Sequence, residues 1–241
     1  MPGHPVEVVT LVGRHPQRSG DRPEHLGARL GAAEHPGIST VRVDTADPAS
    51  IEAAARTVLV EHPDLDVLIA MAGIMRAEDW TDPAGSRATA EATVTTNLLG
   101  PIRLIAAFME HLLAQPSATI MTVSSGLAFV PLRPTPTYNA TKAAIHMLSE
   151  SLRLQLAGTS VEVLELIPPA VRTDLMPGLA TRESAMPLED FVDEVMSLLE
   201  ERPEATEIRV RRVELLRGAE ARGDYPGVVA ALNGSDLPAP A

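Results

Sequence analysis

Ser125, Tyr138 and Lys142 are the residues whose types and spacing could do chemistry together. Lys142 is the only lysine among 20 basic residues, and it stands four positions after Tyr138, one of two tyrosines. On a helix, positions i and i+4 share a face. A phenol beside an ammonium there, met by a serine hydroxyl from the end of a preceding strand, makes a proton-transfer site. A free tyrosine, with a pKa of about 10, is a reluctant proton carrier at neutral pH. A neighbouring cation lowers that value by roughly 1 to 3 units by favouring the phenolate. A Tyr-x-x-x-Lys pair also arises by chance, so the elements around it must carry the weight.

Those elements alternate. Residues 6–13 (VEVVTLVG) form a β-branched run ending in glycine and read as a strand, and residues 38–44 (ISTVRVD) read as a second. Prolines and glycines crowd residues 15–37, which leave room for a poorly specified helix at 24–33. Asp47-Pro48 supplies a cap and a first-turn proline for a helix to about residue 61. Residues 66–73 (DVLIAMAG) are a third strand. The long apolar helix predicted over 88–113 contains Asn97 and Gly100-Pro101, so it must kink or break.

Residues 118–123 (ATIMTV) make a strand closed by Ser124-Ser125-Gly126. Pro131, Pro134 and Pro136 then hold off helix until Tyr138, and helix is predicted over 138–156. A strand at 160–167, a flexible loop at about 170–190, a helix at 189–201, a strand at 207–214 and a frayed tail at 234–241 complete the chain. This order predicts one α/β domain over residues 1–241, a doubly wound, mostly parallel sheet with helices on both faces. Ligands of such sheets sit beyond the carboxyl ends of the strands, where Asp44, Gly73 and Ser125 fall.

Composition narrows the classes of function. With 45% apolar and 22% charged residues the chain suits a globular protein, and a net charge of -12 argues against nucleic acid or an anionic membrane as partner. There is no cysteine, hence no disulfide and no thiolate chemistry. The seven histidines (His4, His15, His25, His35, His62, His111 and His146) are scattered singly and read as surface or helix-end residues, so no metal site is expected. No apolar run reaches the roughly 18 residues of a membrane span and no secretion signal opens the chain, so a cytoplasmic protein is expected.

From about residue 38 to 180 the chain resembles a classical short-chain dehydrogenase/reductase. That family places a serine thirteen positions before a tyrosine and a lysine four beyond it, as Ser125, Tyr138 and Lys142 stand, and an asparagine in the preceding long helix, as in Thr96-Asn97-Leu98-Leu99-Gly100. The resemblance implies that Tyr138 is the acid/base, Lys142 lowers its pKa and bonds a cofactor ribose, Ser125 holds the substrate oxygen, and Asn97 anchors a relay water. It further implies cofactor contacts from Asp44 at the adenine, from Ala72 and Gly73 in the turn after the third strand, and from Pro168, Val171 and Thr173 near the nicotinamide.

Arg14, after a strand-end glycine, would select the 2′-phosphate of NADP, with NAD the alternative; as a solvated turn arginine it would do neither. The runs Gly73-Ile74-Met75-Arg76-Ala77-Glu78-Asp79 and 124–138 are similar to a DltE-like bacterial subgroup. Met75, Leu127, Phe129, Val130 and Met176 suggest a pocket for a moderately apolar alcohol or ketone, or else ordinary packing. Helices 88–113 and 138–156 match those that pair in family homodimers and homotetramers.

The family also opens with a strand leading into Thr-Gly-x-x-x-Gly-x-Gly, whose glycines admit a pyrophosphate to a helix N-terminus. Residues 6–14 align instead with the family's second strand, so the sheet is expected to be N-terminally incomplete, with a gap or with residues 6–13 moved inward. Gly27-x-x-x-Gly31 lies in a helical stretch and is a poor substitute. Ala70, Met71 and Pro169 replace two asparagines and a glycine of the family pattern. Two functions stay open: an NAD(P)-dependent oxidoreductase, or a catalytically impaired relative that binds or assembles. Hydrolysis by Ser125 lacks a histidine base and a nucleophile elbow.

Overall fold

The computed structural model describes residues 8–13 and 38–234. Arg14, the 24–33 helix, the Gly27 and Gly31 pair and the tail beyond 234 lie outside the described residues. Six parallel strands are present: β1 (Val8–Gly13), β2 (Ile38–Val43), β3 (Val67–Ala70), β4 (Ala118–Val123), β5 (Val161–Ile167) and β6 (Glu207–Arg209). They form two hydrogen-bonded sheets, β1-β2 and β3-β4-β5-β6. Among the described residues no hydrogen-bonded pairing joins β1 or β2 to the larger sheet.

Three long helices form one layer, the first against β2 and the other two against the larger sheet. The first is α1 (Pro48–Glu61), capped by the Asp47 carboxylate accepting from the Ala49 N–H. The second runs through α2 (Pro83–Val94), a π-helical turn over Thr95–Leu99, and α3 (Gly100–Ala114). The expected interruption at Pro101 is therefore this wide turn, which absorbs the missing N–H. Helix α4 (Pro136–Gln155) is the third. Leu104, Ile105, Phe108 and Leu112 pack with Ile51, Val58, Leu68 and Ile120 into the main core. By length and composition alone, the stretch Pro83–Ala114 is apolar enough to cross a membrane, and its Leu104, Ile105, Phe108 and Leu112 side chains are buried in this core.

The opposite face is covered by α5 (Leu188–Glu201), where Val195 packs with Met121, Val123, Leu166 and Ile208. Among the described residues that cover stops at β4. Ile69, in register with Met121, is 50% exposed, whereas Leu68 and Ala70 on the other face are buried.

The last predicted strand ends at Arg209. Val210 and Val213 are fully buried at i, i+3 spacing, and the chain turns there into a 3-10 segment at Arg211–Val213. Short helices α6 (Glu214–Arg217), α7 (Ala219–Arg222) and α8 (Tyr225–Asn233) follow, packing Ala219 and Val228 on Val130. Sequence reading missed all three, because Gly218, Gly223 and Pro226 break the periodic signal. The loop after β5 is tied at both ends, with Val171 bridging Met186 and the Arg172 N–H donating to the Met186 carbonyl.

The uneven cover of the sheet has a measurable consequence. Ile69→Thr should change unfolding free energy by less than about 0.5 kcal/mol, while Ile120→Ala should cost about 2 to 5 kcal/mol. Urea unfolding of both variants measures the difference.

Candidate active site

Strand β4 delivers one side of the site and helix α4 the other. Ser125 leaves the strand end in extended conformation, and its Oγ accepts the Leu127 N–H at 3.1 Å, capping a 3-10 turn at Gly126–Ala128. Gly126 is required there, since a Cβ would lie 2.8 Å from both Val213 and Leu216 of the C-terminal segment. Helix α4 begins two residues earlier than expected, with Pro136 in its first turn. Its N-terminus is held by Glu78, whose carboxylate accepts from the Thr137 hydroxyl at 2.7 Å and the Thr137 N–H at 3.3 Å. A carboxylate is favourable at that end of a helix.

Tyr138 and Lys142 stand on the buried face of α4, at 6% and 5% exposure. The Ser125 hydroxyl is near enough to the Tyr138 phenol to act on its pKa, while Lys142 Nζ donates to the Val123 carbonyl at 2.7 Å and lies 5.6 Å from the Tyr138 ring centroid. The sequence predicts that the lysine lowers the tyrosine; in the structure burial sets the direction for both groups. Burial pushes Tyr138 up to about 12, against a smaller pull from the Ser125 hydroxyl, and burial pushes Lys142 down to about 8. Both charged forms lose water here, and desolvation is the largest cause of each shift.

Asn97, in the π-helical turn, is 1% exposed. Its Oδ1 accepts the Ile74 N–H and its Nδ2 donates to the Ile74 carbonyl, both at 2.8 Å, with Thr141 Oγ1 at 3.4 Å. The side chain predicted to anchor a water thus clamps the backbone after β3. Gly73 is held against it, and a Cβ on Gly73 would come within 3.3 Å of Asn97 Oδ1 and 3.9 Å of Lys142 Nζ.

The structure therefore gathers Gly73, Asn97, Ser125, Tyr138 and Lys142. Pro168 joins them through its carbonyl, which accepts the Gly126 N–H. Ala72 is exposed beside Gly73. Asp44 uses Oδ1 on the Ala46 N–H, and Thr173 bonds only the nearby Val171 carbonyl, so these make local bonds. Val130 is core, and Phe129 packs edge-on to His146. Leu127 and Phe129 line a cavity of about 210 Å³ with Asn139, Ala140 and Tyr225, which touches neither Tyr138 nor Lys142.

Two histidines differ from the surface reading. His111 Nε2 bonds the Leu65 carbonyl at 2.8 Å, and His146 Nδ1 bonds the buried Glu165 at 2.8 Å. His146, Glu165 and Glu207 bring ligand-type atoms within 4.8 Å of one another. Their carboxylates already accept from Ser124 and, in fork geometry, from Arg217. Glu165 had a sequence signal, an acid on the Val161–Val163 side of an apolar strand, and Glu78 had none beyond its subgroup run.

Lys142 makes stability depend on pH. Between about pH 8 and 10.5 the unfolded chain holds the proton that the folded chain has lost, so raising pH through that window stabilises the fold. Relative to Lys142→Met, which lacks this titration, the protein should gain about 3 kcal/mol across the window, at about 1.4 kcal/mol per unit. Thermal unfolding of both at stepped pH measures it.

Residues 9–184 match the family described as short chain dehydrogenase. The uncharacterized oxidoreductase DltE of Bacillus subtilis (strain 168) is 39% identical over 214 residues, 86% of this chain and 83% of that protein. A short chain dehydrogenase of Burkholderia cenocepacia J2315, solved with NADP, superimposes with a TM-score of 0.69 at 25% identity, covering 84% of this chain and 80% of that one. A short chain dehydrogenase/reductase of Burkholderia phymatum, solved with NAD, shares the fold at a TM-score of 0.59 and 22% identity over 87% of this chain and 80% of that one. The chain belongs to the short-chain dehydrogenase family of oxidoreductases.

Proposed function

We propose that the protein interconverts a moderately apolar alcohol and its ketone or aldehyde with a nicotinamide dinucleotide, NADP by preference and NAD as the alternative. The observation that carries this is the buried Ser125–Tyr138–Lys142 set beside the side-chain-free surface of Gly73, 3.9 Å from Lys142 Nζ where a Cβ would stand. A ribose and the ring attached to it suit that cradle. Lys142 uses one of its three N–H donors on Val123, which leaves others for sugar hydroxyls. The relatives solved with NADP and NAD support the cofactor class. Among the described residues no turn with the family's three glycines follows a strand, and Arg14 lies outside them, so support for the dinucleotide's phosphates comes from resemblance alone.

The dinucleotide supplies or takes the hydride. The chain's residues handle the oxygen and the proton. Ser125 Oγ orients the substrate oxygen, and Tyr138, held protonated near neutrality by burial, donates to that oxygen as charge develops on it. Lys142 keeps its compact cation against the Val123 carbonyl and the sugar, a task the planar guanidinium of arginine does not fit.

Titration of the 241-residue protein with NADPH should give saturable fluorescence change, and the impaired-relative reading predicts none. Tyr138→Phe should lower turnover at least about a hundredfold, in the range of positioned acid–base catalysis. Lys142→Arg should also lose turnover while circular dichroism is unchanged. Retained turnover in either variant refutes the assigned role.

A second proposal concerns assembly. Leu99, Ile102 and Leu113 on the helix before β4, and Met147 and Leu154 on α4, are exposed, the last at 81%. Such apolar residues on two long helices suit pairing with a second copy, as a homodimer or homotetramer. Met147→Arg should convert the assembly to monomer in sedimentation velocity.

A further inference from the structure

Beneath the site, α4 meets the sheet through a polar seam. Glu165 on β5 is 0% exposed. One carboxylate oxygen accepts from Ser124 Oγ at 2.5 Å, and the other is bonded to His146 Nδ1 at 2.8 Å. Just below, Thr122 Oγ1 meets Ser149 Oγ at 2.6 Å, and Arg153 Nε donates to the Val163 carbonyl at 3.1 Å. An apolar contact tolerates sliding; bonds of this kind fix register, because a buried polar group that loses its partner costs free energy.

The placing of this seam matters. Ser124 lies between Val123, whose carbonyl takes the Lys142 ammonium, and Ser125, whose hydroxyl pulls on the Tyr138 phenol. His146 is one turn beyond Lys142 on the same helix face. Glu165 thus grips the strand end through the residue flanked by two site residues, and grips the helix four residues from a third. We propose that Glu165, acting through Ser124 and His146, is a positioning residue that sets the separation between the β4 strand end and the Tyr138–Lys142 face of α4.

The metal reading of the same cluster is weaker. Glu165 has both oxygens in hydrogen bonds, and Glu207 is held by Arg217 at 2.7 and 3.1 Å. A cation would have to break bonds that already satisfy the buried acid.

The proposal rests on the oxidoreductase reading for its kinetic readout, and a spectroscopic readout stands free of it. Lys142 is the sole lysine, so protein grown with lysine labelled at Cε gives one side-chain NMR signal whose titration follows this ammonium. Ser124→Ala removes the grip on the strand while leaving the Glu165 charge in place. Its Lys142 titration midpoint should fall, since a displaced Val123 carbonyl no longer favours the charged form. Turnover should fall about tenfold, within the cost of a sub-ångström misplacement, with the KM for dinucleotide within twofold. Glu165→Gln should act in the same direction and more strongly. Glu162→Gln, exposed on the same strand, should leave both readouts at the wild-type value.

If Ser124→Ala and Glu165→Gln lower thermal stability but keep the wild-type Lys142 midpoint, the positioning role is wrong and the seam is packing alone. Should Glu165→Gln fail to fold, Ser124→Ala decides by itself. Wild-type protein without turnover would defeat the oxidoreductase reading, and the Lys142 titration would still settle this one.

Discussion

A primary ammonium taken out of water needs polar contact to replace its hydration, and Lys142 at 5% exposure has the Val123 carbonyl at 2.7 Å to supply it. This bond ties α4 to the end of the strand that leads into Ser125. The site therefore depends on one distance, between the α4 face and the β4 terminus. Glu78 holds the start of α4 at Thr137, and the Glu165 seam holds it one turn below Lys142. Asn97 closes the third side by clamping Ile74 from the π-helical turn.

The same desolvation decides the chemistry. Proximity of a cation alone would favour the phenolate, but both groups are buried and both move toward their neutral forms. Tyr138 is consequently protonated at neutral pH, the form that the proposed proton transfer needs. Lys142 contributes through its donors as much as through its charge, and its folded-state pKa of about 8 places it where modest changes in surroundings alter its protonation.

Much of this was legible in the sequence, for reasons that particular residues make plain. The strands from β2 onward and the helices α1 and α4 follow from β-branched runs, Asp47-Pro48 and proline-delimited starts, all local signals. Ser125, Tyr138 and Lys142 were found because their spacing is set along one strand, one turn and one helix. What remained hidden depends on distant pairing. Glu165 and His146 are nineteen residues apart, and either alone reads as an ordinary polar residue. The strand predicted over 207–214 stops at Arg209 because Val210 and Val213 are drawn into the core. The segment after it places Val213 and Leu216 over Gly126, an arrangement that no periodicity announces.

Polar and apolar cover are distributed unequally over the sheet, and the distribution follows function. Toward the amino ends of β3 and β4 the helices pack by apolar contact, with Phe108 and Leu112 nearly inaccessible. Toward the carboxyl ends, Thr122, Ser124 and Glu165 replace aliphatic side chains. Replacing a buried ionic or polar group by a hydrophobic one of similar size is often neutral or stabilising, so this seam is a poor way to gain stability. It is a good way to gain geometry, because hydrogen bonds have preferred lengths and directions that dispersion contacts lack. The directional constraint lies where the sheet adjoins Ser125, Tyr138 and Lys142, the groups of the proposed site, and apolar packing is left to the rest of the fold.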